Sequence, residues 1–191
     1  MSVHTLGRSP ASSSSWLKNY YFLRFAVSTA WVAAAFTLAR GASPIAAALL
    51  VAYPAWDAIA NYLDARRSGG LSRNRSQLLN VIISAVTAIV VAATLGQGMH
   101  AVLHIFGVWA MLAGLFQLVT ALRRWTSEGA QWAMILSGAQ SVLAGAFMLS
   151  VAAGTAPVGI ADVAPYAAFG AFYFLVSALW LTVRDARRSR G

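Results

Sequence analysis

Apolar residues run along this chain in six long stretches parted by short polar ones. They cover Tyr20–Leu38, Pro44–Leu63, Gln77–Leu95, Met99–Leu122, Gln131–Ala153 and roughly Val163–Val183. A helix crossing a bilayer needs about 20 mostly apolar residues, and each stretch has about that length. None alternates with the period of two that a membrane barrel strand needs. Helices satisfy their own backbone groups in lipid, so the pattern predicts helices. Ser43 before Pro44 reads as an N-cap followed by proline at the first helical position, and Gly96-Gln97-Gly98 reads as a stop. The expectation is an all-α, polytopic integral membrane protein. Six transmembrane helices fill residues 20–183 as three hairpins at about 20–63, 77–122 and 131–183.

Composition agrees with this picture. Of the 191 residues 59% are hydrophobic and 10% charged, and mean hydropathy is +0.66. A soluble domain carries about 25% charged residues. Without cysteine, disulfides and thiolate metal sites are excluded. The net charge of +9 brings nucleic acid to mind, but the arginines sit between apolar runs rather than along one polar face. No nucleic-acid partner is expected; the partner is the lipid bilayer.

The placement of those arginines predicts a topology, because cytoplasmic flanks collect positive charge. Arg8, Lys18 and Arg24 precede or enter the first helix. Arg66, Arg67, Arg73 and Arg75 lie between the second and third, Arg123 and Arg124 after the fourth, and Arg184, Arg187, Arg188 and Arg190 at the end. Thirteen of the 14 basic residues thus share one side and Arg40 lies opposite. Both termini are expected in the cytoplasm, with residues 1–19 a polar, disordered arm rather than a cleavable signal and 184–191 a basic tail.

The same arginines mark an internal repeat. Asp64-Ala-Arg-Arg-Ser68 recurs at Asp185–Ser189, and Ala121-Leu-Arg-Arg-Trp125 resembles both. Leu38 and Leu95 end similar stretches 57 residues apart, as do Arg67 and Arg124. Two-helix repeats keep one membrane orientation, so these are parallel rather than inverted repeats. The stretches AVLHIFGVWAMLAGLFQLVTALRRW, GAQWAMILSGAQSVLAGAFML and YAAFGAFYFLVSALWLTVRDARR resemble the HdeD-like family of small bacterial membrane proteins. The resemblance spans roughly Ala101 to Arg188. It implies a bacterial inner-membrane protein built of glycine-containing hairpins, with an acid-resistance association. It carries no family active site.

Charged side chains within a spanning helix are costly and face protein or water. Asp57 lies roughly 10 Å from the helix end marked by Asp64, and Arg24 about 6 Å beyond Tyr20, at about 1.5 Å per residue. In an antiparallel hairpin the two could meet as a buried pair. The other repeats place Gly114 and Ala178 where Asp57 stands. Pro54 frees the carbonyl of Leu50 and kinks the second helix, and Asn61 and Asn80 add amides at comparable depth. Arg24, Asp57, Asn61 and Asn80 therefore form the candidate intramembrane polar or ion site. A structural pair, a proton or ion site, and an aspartate reaching water are the three readings.

His100 and His104 share a helix face at the outer end of the fourth stretch and form a candidate outward pH-sensing pair. A metal site would want a third ligand, for which Asp162 is the acidic candidate, and none is expected. Gly107 and Gly114, like Gly138 and Gly145, are seven apart and suit close helix packing. No phosphate-cradling loop, HExxH or nucleophile elbow is present. The expectation is a non-enzymatic protein without catalytic residues or cofactor, acting in acid or envelope stress. A small transporter or channel built on the Asp57 cluster is one rival. A scaffold that pairs with itself or with other membrane proteins is the other.

Overall fold

The computed structural model describes residues 10–39, 43–123 and 131–188. Arg8, Arg40, Arg124, Trp125, Arg190 and the first nine residues of the arm lie outside the described residues. Among the described residues every regular element is helical. The elements are α1 (Pro10–Thr37), α2 (Pro44–Arg67), α3 (Arg75–Thr94), α4 (Met99–Arg123), α5 (Gln131–Ala152) and α6 (Ala164–Arg188). Short 3₁₀ turns follow α3 at Leu95–Gln97 and precede α6 at Ile160–Asp162. α1 begins at Pro10, so residues 10–19, read from the sequence as disordered arm, are helical instead. Proline suits a first helical turn, and Trp16 stacks on Tyr20 one turn along, at 5.0 Å between ring centroids.

Local chemistry sets the other boundaries. Ser43 Oγ accepts the Ala46 N–H at 3.1 Å and starts α2. Gly69 and Gly70 end it in left-handed conformations, with φ of 101° and 92°. Gly98, at φ 96°, turns the chain from α3 into α4.

Among the described residues four stretches are long and apolar enough to cross a membrane: Arg75–Gln97, Met99–Val119, Ile135–Ala152 and Ile160–Arg187. That corrects the six expected from the sequence to four by length and composition. α1 and α2 have the length, at 28 and 24 residues, but not the composition. Lys18, Tyr20, Tyr21 and Arg24 dilute α1, and two prolines, Asp57, Asn61 and Asp64 dilute α2.

The chain divides into two compact units, one of residues up to Ala30 together with those from Ala167 on, the other Trp31–Tyr166. Within the larger unit, α2 lies along α3 and α4 along α5, while α3 meets α4 over a shorter stretch. Asp57 bonds Ser84 and Asp64 bonds Gln77. Both pairs of residue numbers add to 141, which fixes an antiparallel register. In α4–α5 the facing pairs are Gly107 with Gly145 and Gly114 with Gly138, both adding to 252. A Cβ on Gly114 would stand 2.6 Å from the Gly138 carbonyl oxygen, and one on Gly145 2.6 Å from that of Gly107. The two backbones touch where side chains would normally intervene.

In the smaller unit α1 meets α6. Lys18 Nζ lies 3.8 Å from Asp185 Oδ2, and farther along α1 the Arg24 guanidinium lies 4.2 Å from the Phe174 ring centroid. Contacts move up α1 as they move down α6, so the start of one and the end of the other share one end of this unit. Each even-numbered helix therefore pairs with an odd one: α2 with α3, α4 with α5, α6 with α1.

Outward faces are apolar stripes at alternating three- and four-residue steps. Leu79, Ile82, Val86 and Ile89 form one on α3; Val108, Leu112, Leu115, Val119 and Leu122 one on α4; Phe169, Phe172, Val176, Leu179 and Val183 one on α6. α2 has one as well, through Ile45, Ala48, Ala52, Ile59 and Leu63, all exposed.

Candidate functional site

Pro54 leaves α2 without one backbone N–H, and Asp57 follows it by about one turn. In the turn before Pro54 the Trp31 indole Nε1 donates to the Leu49 carbonyl at 2.7 Å. The carbonyl that Pro54 deprives of its helical donor is that of Leu50, one residue on, so this bond ties Trp31 to α2 without replacing the lost one. The antiparallel register brings Asp57 level with Ser84 of α3.

A directed chain of hydrogen bonds meets there. Trp109 Nε1 of α4 donates to Ser84 Oγ at 3.1 Å, and Ser84 Oγ donates to Asp57 Oδ2 at 2.8 Å. Asn61 Nδ2, one turn beyond Asp57, donates to the same Oδ2 at 3.0 Å and to the Asp57 carbonyl at 2.8 Å. One carboxylate oxygen thus receives a hydroxyl and an amide. The Ser84 hydroxyl both gives and receives, so its direction is fixed by Trp109 behind it. Ser84 is 1% exposed and Trp109 4%, while Asp57 and Asn61 are half-buried. Bonds of this sort in a dry, low-dielectric interior tie α2, α3 and α4 together.

An aromatic cluster holds the Trp109 ring. Phe106, Tyr53 and Tyr166 stand edge-on to it at centroid separations of 5.7, 5.7 and 5.8 Å. Tyr53 also packs against Trp31 at 4.9 Å. Edge-to-face packing exploits the ring quadrupole and fixes orientation, which here aims the indole N–H at Ser84.

The residues singled out from the sequence fall in several places. Asp57 and Asn61 belong to this chain. Asn80 is half-buried on α3, one turn before Ser84 and on the same face. Arg24 belongs to the smaller unit, where Nη1 donates to the Tyr20 hydroxyl at 3.3 Å and the guanidinium lies over Phe174. Aromatic faces of this kind suit a cation half-buried on an apolar helix. Ser84 and Trp109 are the members that sequence reading missed. A signal for Ser84 existed: it lies seven residues after Gln77, as Asp57 lies seven before Asp64. Once the α2–α3 turn is taken as the start of an antiparallel pair, these four fall level. Nothing in the pattern marks Trp109.

At the opposite end of the unit, His100 Nε2 lies 3.1 Å from the Ala156 carbonyl oxygen, and His104 is exposed one turn along. Asp162 does not join them: its Oδ2 accepts the Gly159 N–H at 2.7 Å, closing its own turn. Among the described residues no three His, Cys, Asp or Glu side chains converge on a metal position.

Residues 79–150 match the family model described as a short repeat of unknown function (DUF308). The matched segment runs from α3 through α4 into the last turn of α5. It includes Asn80, Ser84, Trp109 and all four packing glycines, and stops short of Asp57 and Asn61. No characterised protein and no solved structure matches the chain.

Proposed function

We propose that the protein is a non-enzymatic, multi-pass protein of the bacterial inner membrane that acts in acid or envelope stress, as its HdeD-like stretches imply. All six helices cross the bilayer in this reading, with both termini in the cytoplasm. The observation that carries it is the sidedness of α2. The residues that lower its hydropathy, Asp57 and Asn61, join the hydrogen-bonded chain to α3, while Ile45, Ile59 and Leu63 point outward. Such a helix meets lipid with an apolar face, as a spanning helix with one polar residue does. At 24 residues it is about 36 Å long, enough for a core of about 30 Å. Orientation follows from charge: Arg66, Arg67, Arg73, Arg75 and Arg123 fall at one end of the larger unit, and His100 and His104 at the other.

A strain lacking the protein is expected to survive acid challenge less well than its parent and to be restored by the intact gene. Equal survival would remove the stress role and leave the membrane assignment standing.

A second reading draws on one observation, a carboxylate about one turn past a proline within a continuous helix. A small transporter or channel would use Asp57 as its ion or proton site. Purified protein in liposomes under a pH gradient would then carry a flux that Asp57→Asn abolishes. Absence of flux with intact protein would retire this reading.

A further inference from the structure

The α2–α3 turn collects Arg66, Arg67, Arg73 and Arg75 within ten residues, and all four are exposed. The neighbouring acid, Asp64, accepts a hydrogen bond from Gln77 Nε2 at 3.3 Å. The turn between the arginines is braced. The Ser68 N–H donates to the Asp64 and Ala65 carbonyls, and the Gly70 N–H reaches Ala65 O at 2.7 Å. Asn74 Nδ2 donates to the carbonyls of Ser68 at 2.9 Å and Gly70 at 2.8 Å. Asn74 occupies the N-cap position of α3, yet its side chain makes no cap bond to that helix. The 20-residue helix therefore starts with its positive dipole end beside the arginines and no capping oxygen from Asn74.

Two features place this cluster at a membrane boundary. The Arg66 guanidinium lies 5.8 Å from the centroid of the exposed Tyr62 ring, an aromatic–cation pair of the kind found at headgroup level. The apolar run of α3 begins three residues past Arg75, and its exposed stripe of Leu79, Ile82 and Val86 starts below the arginines.

We propose that the α2–α3 turn is a binding site for an anionic phospholipid, with the phosphate held by the arginines and an acyl chain along the α3 stripe. This rests on α3 crossing the bilayer and not on the stress role or the orientation. A lipid, rather than free phosphate, is favoured because the cationic cradle adjoins the apolar stripe: Arg75 opens α3 and exposed Leu79 follows it one turn along. Fixed donors beside a helix N-terminus hold phosphate oxygens well, and each basic residue near an anionic surface contributes about 1 kcal/mol, or about fivefold in affinity.

The test reconstitutes the full chain in liposomes of phosphatidylcholine with minor phosphatidylglycerol. It then measures, by native mass spectrometry, which lipid stays bound through detergent extraction. Phosphatidylglycerol should be enriched, and the Arg73→Gln/Arg75→Gln variant should lose about 25-fold in affinity, fivefold for each arginine. Arg184→Gln/Arg187→Gln removes the same charge from α6 and should leave enrichment unchanged. Asn74→Ala keeps every arginine while releasing the brace, and should weaken enrichment at unchanged helix content. Equal losses from the two double variants would reduce the effect to net charge and overturn the site. So would displacement of the lipid by millimolar inorganic phosphate, or an intact protein that floats with liposomes without enrichment. Failure to float would instead strike the membrane reading itself, and the lipid site with it.

Discussion

The α2–α3 and α4–α5 pairs solve one packing problem in two ways. Both are antiparallel, and both place seam residues two turns apart at positions offset by 57: Leu50, Asp57 and Asp64 on α2, Gly107, Gly114 and Ala121 on α4. In α4–α5 two seam levels carry facing glycines, whose backbones approach until a single Cβ would collide. In α2–α3 the same positions carry carboxylates bonded to Ser84 and Gln77. Lipid offers no hydrophobic drive for helices to associate, so close van der Waals packing and interhelical hydrogen bonds are the available forces. Each pair relies mainly on one of them. The comparison teaches that register can persist between repeats while the force holding it changes.

The sharpest way to break this contrast is to fill the glycine seam. Gly114→Ala should cost about 1–3 kcal/mol, because its Cβ meets the Gly138 carbonyl and Val142 N rather than yielding side chains. Gly114→Leu should prevent α4–α5 pairing outright. Unfolding in mixed detergent, followed by circular dichroism, measures both.

In the polar seam the damage should depend on what replaces the carboxylate. Asp57→Ala leaves the Ser84 hydroxyl without its acceptor and should destabilise by about 1–3 kcal/mol. Asp57→Asn keeps an acceptor oxygen and should cost less. Asp57→Gly, which writes the α4 residue into α2, should not rescue packing. Leu50 and Val91, both fully buried at the next seam level, hold the backbones apart. A glycine variant as stable as wild type would show that the two seams are interchangeable.

Smaller effects test the third helix in the chain. Trp109→Phe retains the ring packing and loses the N–H to Ser84. Paired with Ser84→Ala in a double-mutant cycle, it should reveal a coupling of about 0.6 kcal/mol, the average for such bonds in a membrane protein. An effect of similar or smaller size is expected in the other unit. Lys18→Met breaks an ion pair at 3.8 Å whose members are 27% and 29% exposed, worth no more than about 1 kcal/mol.

Much of this architecture was legible in the hydrophobic pattern, because helices in lipid must be long, apolar and internally bonded. Helix positions followed from apolar runs and from breaks at Gly96–Gly98 and Ser43-Pro44. The extent of each contact did not follow. The hairpin reading pairs α3 with α4, which do meet, but the longer contacts run between α2 and α3 and between α4 and α5. Loop lengths do not encode how closely two backbones approach; facing glycines on α4 and α5 do. The site was half legible for a related reason. Asp57 stands out because a charge in an apolar run is expensive. Ser84 and Trp109 do not, since both are ordinary in such helices and gain meaning through the register. Depth alone pairs Arg24 with Asp57; within its own unit Arg24 lies against the Tyr20 and Phe174 rings.

The central claim is that α2 crosses the membrane with Asp57 turned into the bundle. The chain contains no cysteine, so single cysteines introduced at its two ends can be read without background. In intact cells a membrane-impermeant maleimide should label Ser43→Cys from outside, and should label Ser68→Cys only after the inner membrane is permeabilised. Labelling of both positions from the same side would mean that α2 does not cross, and would contradict the claim.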